Sequence, residues 1–127
     1  MLVRRWGDVE EYDLGSILGK PELGVKVKRL SHREKASNSY NHCFDMEYYL
    51  IEPGKAYPVH RNQRGMVNFV LSGVASFVTE TSQIKAQKGD VVYTGNGELQ
   101  YISNNSSEQL EIMCYIDCQN PLENCKR

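Results

Sequence analysis

From His42 onward, short apolar runs are cut at near-regular intervals by turn-forming residues, and this rhythm is the feature that most restricts the possible folds. The runs are His42 to Ile51, Met66 to Leu71, Val74 to Glu80, Ile84 to Ala86, Val91 to Thr94, Leu99 to Ser103 and Leu110 to Asp117. Between them fall Pro53-Gly54, Ser72-Gly73, Lys88-Gly89-Asp90, Gly95-Asn96-Gly97 and Asn104-Asn105-Ser106-Ser107. Runs this short and this often interrupted predict an all-β barrel or sandwich. No periodic segment is long enough to argue for a major helix, and no internal repeat signals a solenoid.

Upstream, Val25 and Val27 alternate with Lys26 and Lys28, which predicts a half-buried strand over Gly24 to Leu30. Ser31 to Asn41 is polar and reads as an exposed loop, with His32 in it. Residues 1–22 read as an irregular arm with a short strand near Leu2 to Trp6. A chain of 127 residues makes one domain. Within it, residues 1–40 form an N-terminal arm with edge strands, and 41–127 form the barrel.

Composition narrows the function. Fifteen basic residues nearly balance sixteen acidic ones, so no net field gathers a nucleic acid. No stretch approaches the ~18 apolar residues of a membrane span, and the expectation is a soluble, cytoplasmic protein. Cys43, Cys114, Cys118 and Cys125 show no spacing typical of a disulfide scaffold or zinc knuckle, and are expected to be reduced thiols. No Gly-x-Ser-x-Gly elbow, phosphate-binding glycine loop or His-Glu-x-x-His pair occurs.

The most specific signal is a pair of spaced sets. Gly54 is followed by His60, Asn62, Met66 and Gly73; Gly89 is followed by Gly95, Gly97, Gln100 and Asn104. These resemble the two motifs of the cupin family, Gly-x5-His-x-His-x(3 or 4)-Glu-x6-Gly and Gly-x5-Pro-x-Gly-x2-His-x3-Asn. The resemblance spans about Met46 to Asp117. It implies a double-stranded β-helix, a jelly-roll barrel of two antiparallel sheets. It also implies a homodimer, with the N-terminal arm packing on a second copy and covering sheet edges. Gly54, Gly73 and Gly89 stand where strands reverse, a place for positive φ.

In that family two histidines and a glutamate of the first motif, with the histidine of the second, point inward and hold a divalent metal. Here the four places carry His60, Asn62, Met66 and Gln100. One imidazole, two neutral amides and a thioether offer no anionic ligand, so no tightly bound metal is expected. Weak transition-metal binding at His60, above all of copper(I) with Met66, stays open.

Strand parity places His60 with Asn62, and Met66 with Asn68 and Val70, on inward faces. His60, Asn62, Met66, Asn68 and Gln100 are then expected to line a hollow that binds a small polar molecule. The rival reading is an enzyme: a metal-dependent oxygenase or isomerase with an atypical site, or a metal-free isomerase or epimerase with His60 as general base. That base lacks a recognisable acid partner. Asp45 and Glu47 share a parity, but Met46, Tyr48 and Leu50 look like the apolar face of their run, so the acids are expected in solvent. His42 reads as a rim residue, and Tyr48, Tyr49, Tyr57, Tyr93, Tyr101 and Tyr115 read as core or interface bulk.

Overall fold

The computed structural model describes residues 3–31, 44–95 and 97–117. Ten strands appear among them: β1 (Glu11–Asp13), β2 (Val25–Ser31), β3 (Phe44–Ile51), β4 (Ala56–Arg61), β5 (Met66–Ser72), β6 (Val74–Thr79), β7 (Gln83–Gln87), β8 (Val91–Thr94), β9 (Leu99–Ser103) and β10 (Leu110–Asp117). A one-turn helix, α1 (Leu14–Leu18), is started by the Asp13 carboxylate accepting from Gly15 N–H at 2.9 Å and stopped by Gly19 at φ 68°.

The strands form two antiparallel sheets, ordered β1-β2-β3-β10-β5-β8 and β4-β9-β6-β7, the all-β architecture that the turn rhythm predicts and the jelly roll that the motif resemblance implies. Between them lies the core of Val25, Val27, Tyr49, Ile51, Val70, Ala75, Phe77, Ile102, Leu110 and Ile112. The turn glycines behave as their spacing predicts: Gly54, Gly73 and Gly89 have φ of 75°, 84° and 91°. At Gly73 a Cβ would lie 2.6 Å from the Gln109 carbonyl oxygen, so both the angle and the space exclude a side chain.

Three expectations need correction. Residues 3–5 form no strand, and Trp6–Asp8 is a 3-10 turn instead. Trp6 is not used in a ladder. Its ring lies edge-on to Tyr48 at 4.8 Å and under the Lys28 ammonium at 4.2 Å, while its carbonyl accepts from Lys28 Nζ at 2.9 Å. This part of the arm therefore packs on the outer face of its own larger sheet.

The second correction is β4, a strand that pattern reading passed over. Pro58 and a register shift between Tyr57 and His60 interrupt its alternation. The irregularity has a use. Tyr57 pairs with Ile102 and His60 with Gln100, so two residues three apart both meet inward-facing partners. The third correction, the parity of Asp45 and Glu47, belongs to the site. His32, His42, Cys43, Cys118, Cys125 and the rest of the 31–41 loop beyond Ser31 lie outside the described residues.

Candidate functional site

Residues directly opposed in an antiparallel ladder share a face, so the register shows what the larger sheet presents to the interior. One inward row reads Tyr12, Val27, Tyr49, Ile112, Val70; the next reads Arg29, Glu47, Cys114, Asn68, Val92; the last reads Asp45, Ile116, Met66, Thr94. The barrel is thus apolar at one end and polar at the other. Asp45 and Glu47 lie on the inner face, contrary to the expectation of solvent.

The reason is that both faces of β3 are covered. It is a central strand between β2 and β10, and its outer residue Tyr48 is only 5% exposed because Trp6 covers it and its hydroxyl donates to Glu111. Apolar alternation cannot say which face of such a strand is inner.

The five residues singled out from the motifs converge at the polar end. Met66, Asn68 and Gln100 are buried; His60 and Asn62 are partly so. His60 Nδ1 lies 2.9 Å from the Pro58 carbonyl oxygen. A carbonyl only accepts, so Nδ1 carries the proton of the neutral ring and Nε2 is the acceptor. Gln100 Nε2 donates to it at 3.1 Å and also to Met66 Sδ at 3.4 Å. Asn62 Nδ2 donates to the same sulfur at 3.4 Å, while Asn62 Oδ1 accepts from Arg64 N–H at 3.0 Å, which fixes that amide's orientation.

This geometry tests the metal that the motifs imply. Two amide N–H groups point into the corner where a cation would sit, and the lone pair of His60 is already engaged. Among the described residues no three His, Cys, Asp or Glu side chains gather as a ligand set. The residues at the family's four metal positions do not fit a divalent cation.

Asn68 carries a different signal. Its Nδ2 donates to the Val92 carbonyl at 3.1 Å and to Thr94 Oγ1 at 3.0 Å, an orientation the Val92 carbonyl enforces. Its Oδ1 is buried without a partner, as is Nε of Arg64. The Arg64 guanidinium pairs with Asp45 at 2.9 Å and acts on Glu47 and Cys114 as well, which sets it over the same polar rows.

Sequence reading missed Glu47, Tyr57 and Arg64. The Tyr57 ring meets His60 edge-on at 5.0 Å and Tyr49 at 4.7 Å. Burial first, and the Glu47 charge second, push the Tyr57 phenol up to about 12; burial likewise pushes the Cys114 thiol up to about 12, so neither is an anion at neutral pH. Burial also raises Glu47, helped by Asp45 and opposed by Arg29 and Arg64. The only warning in the sequence was the tyrosine and cysteine content of strands otherwise read as packing.

A raised carboxyl makes a stability prediction. The unfolded chain ionises at about 4.5 and the folded one only higher, so Glu47 costs nothing below pH 4.5 and destabilises the fold as pH rises through its raised value. Glu47→Gln should leave stability unchanged near pH 4 and raise it at neutral pH, in denaturant melts compared with the parent at each pH. A constant difference at every pH would show that the carboxyl ionises freely.

Comparison with known proteins agrees with this architecture. Residues 47–116 match the family model described as "Cupin domain". A predicted oxalate decarboxylase from Thermotoga maritima superposes with a TM-score of 0.70 at 20% identity, covering 91% of this chain and 98% of that one. The polyketide cyclase RemF from Streptomyces resistomycificus gives 0.71 at 15% identity over 95% and 82% of the two chains. A cupin-2 domain from Rhodospirillum rubrum gives 0.72 at 16% over 94% and 76%. No curated protein matches significantly. The solved structures differ in function and are too distant in sequence to convey more than the fold. With more than half its length matched by the family model, the chain belongs to the cupin domain family.

Proposed function

We propose that this protein is a binding module that takes a small polar molecule into the polar end of its barrel, with no tightly bound metal. The observation that carries the reading is Asn68: a fully buried amide whose oxygen has no donor. An unsatisfied buried acceptor costs about 1–3 kcal/mol, and a bound molecule with a hydroxyl or N–H would recover it. His60, Asn62, Met66 and Gln100 stand round the same space and supply the remaining polar contacts.

A second reading gains from one finding. An acid that sequence analysis could not locate is present as Glu47, on the inner face of the larger sheet, while His60 projects from the smaller one. A metal-free isomerase or epimerase would use His60 as base and the Glu47 carboxyl, when protonated, as acid. Its base would first have to exchange the Gln100 hydrogen bond for one to substrate.

Native mass spectrometry with elemental analysis of protein purified without chelator tests the preferred reading. The expected spectrum carries a retained small molecule on part of the population and far less than one transition-metal ion per chain. His60→Ala, folded as judged by circular dichroism, should lose that molecule. One equivalent of metal, or the same ligand load in the variant, would overturn the proposal.

A further inference from the structure

The hydrogen-bonding groups at the polar end are not evenly matched, and the imbalance indicates what kind of molecule belongs there. Gln100 Nε2 and Asn62 Nδ2 both direct N–H at Met66 Sδ at 3.4 Å. A thioether is a weak acceptor, so two buried donors are poorly served. The Arg64 backbone N–H holds Asn62 in this orientation. Two amide donors therefore converge on one corner, where the acceptors are a single sulfur and the His60 Nε2 lone pair already taken by Gln100. Met66 is unbranched and flexible, so its sulfur can yield to a better acceptor.

The opposite shortage lies beside this corner. Asn68 Oδ1, on the strand that carries Met66 and two residues along it, is a buried acceptor without a donor. An oxygen anion at the donor corner and a hydroxyl at Asn68 would satisfy every one of these groups. We propose that the polar end of the barrel binds a small hydroxylated carboxylate, the carboxylate accepting from Asn62 and Gln100 and the hydroxyl donating to Asn68 Oδ1. This rests on the binding-module reading and names the class of ligand for it.

Three matched probes separate the parts of the claim. Lactate carries both groups, propionate lacks the hydroxyl, and propane-1,2-diol lacks the carboxylate. Each is titrated at neutral pH while the side-chain amide signals of Asn62, Asn68 and Gln100 are followed by ¹⁵N NMR. Lactate should shift all three amides, and the other two probes should bind about tenfold more weakly or worse, the loss expected for one charge-assisted or buried hydrogen bond. Gln100→Glu keeps the shape but replaces N–H with a charged acceptor, and should abolish the lactate shifts. If that variant does not fold, Asn62→Asp makes the same replacement while leaving an oxygen for Arg64 N–H.

A diol that binds as well as lactate would overturn the carboxylate corner, and propionate that binds as well would overturn the role of Asn68. Either result leaves the binding module standing. No shift with any probe would overturn the inference; only if native spectra also show no retained molecule does the module itself fall.

Discussion

Gly95→Ala should destabilise this protein by about 4 kcal/mol or more, lowering its melting temperature by on the order of 15 °C. Gly95 is buried with φ 114°, in a region that side chains avoid, and a Cβ there would lie 2.2 Å from the Arg64 carbonyl oxygen and 3.1 Å from Gly65 Cα. Backbone strain alone is worth about 1–3 kcal/mol. The overlap adds to it, because the atom struck is main chain and cannot rotate away. Relief would require the Arg64-Gly65 segment to move, and the Gly65 carbonyl accepts from Asp117 N–H at 2.9 Å.

Gly54→Ala is the internal control. Its φ of 75° is also positive, but nothing lies within 4 Å of its Cβ position, so only the strain of about 1–2 kcal/mol applies. Thermal melts showing equal losses for the two alanines would refute the clash. Gly95→Ala should also loosen the donor corner, since the Arg64 N–H orients Asn62. The family pattern writes proline where this chain has Gly95, and proline cannot adopt this φ. The turn has been rebuilt, not merely conserved in outline.

What was legible in the sequence follows from which physical constraints leave marks on composition. Positive φ leaves a glycine, so the strand reversals at Gly54, Gly73 and Gly89 could be read directly. Residue spacing about those glycines fixed strand parity, and His60, Asn62, Met66, Asn68 and Gln100 do meet at one end of the barrel. Faces of a doubly covered strand leave no such mark. Tyr48 on one side of β3 and Tyr49 on the other are both buried, so the run offered no means of assigning Glu47. Arg64 was illegible for another reason: it leaves a turn, and a long flexible side chain goes where charge and space take it. The bulge that turns both Tyr57 and His60 inward breaks the period on which strand reading depends. The missed residues are those that make the interior ionisable, so the sequence described the frame of the site better than its chemistry.

Asn104, the last residue of the second motif, is the other position where one substitution should have a large effect. It is fully buried, and its amide serves two segments. Nδ2 donates to the Ile51 carbonyl at 3.0 Å and to the Glu108 carbonyl at 2.7 Å; Oδ1 accepts from Ser106 N–H at 3.1 Å and Ser106 Oγ at 2.7 Å. The side chain thereby closes the turn between β9 and β10 and ties it to the end of β3. Its main chain exchanges bonds with Gly54 N–H and the Lys55 carbonyl, each at 2.8 Å, at the start of β4.

Asn104→Ala leaves the main-chain bonds but takes the amide from the Ile51 carbonyl and the Ser106 N–H, and leaves the Glu108 carbonyl only the Ser106 hydroxyl at 3.2 Å. At about 1–3 kcal/mol for each group left buried and unpaired, discounted because part of the turn reaches water, the loss should be about 3–5 kcal/mol in denaturant melts. Asn104→Asp should fare no better: it retains acceptors for Ser106 but sets a charge against two carbonyl oxygens. Ser106→Ala, which removes the hydroxyl's three bonds to Asn104 Oδ1 and to the Glu108 carbonyl and N–H in a partly exposed turn where water can replace them, should cost only about 1 kcal/mol. An Asn104→Ala loss no larger than that of Ser106→Ala would mean that water replaces the amide, and that the motif's asparagine does not hold the turn.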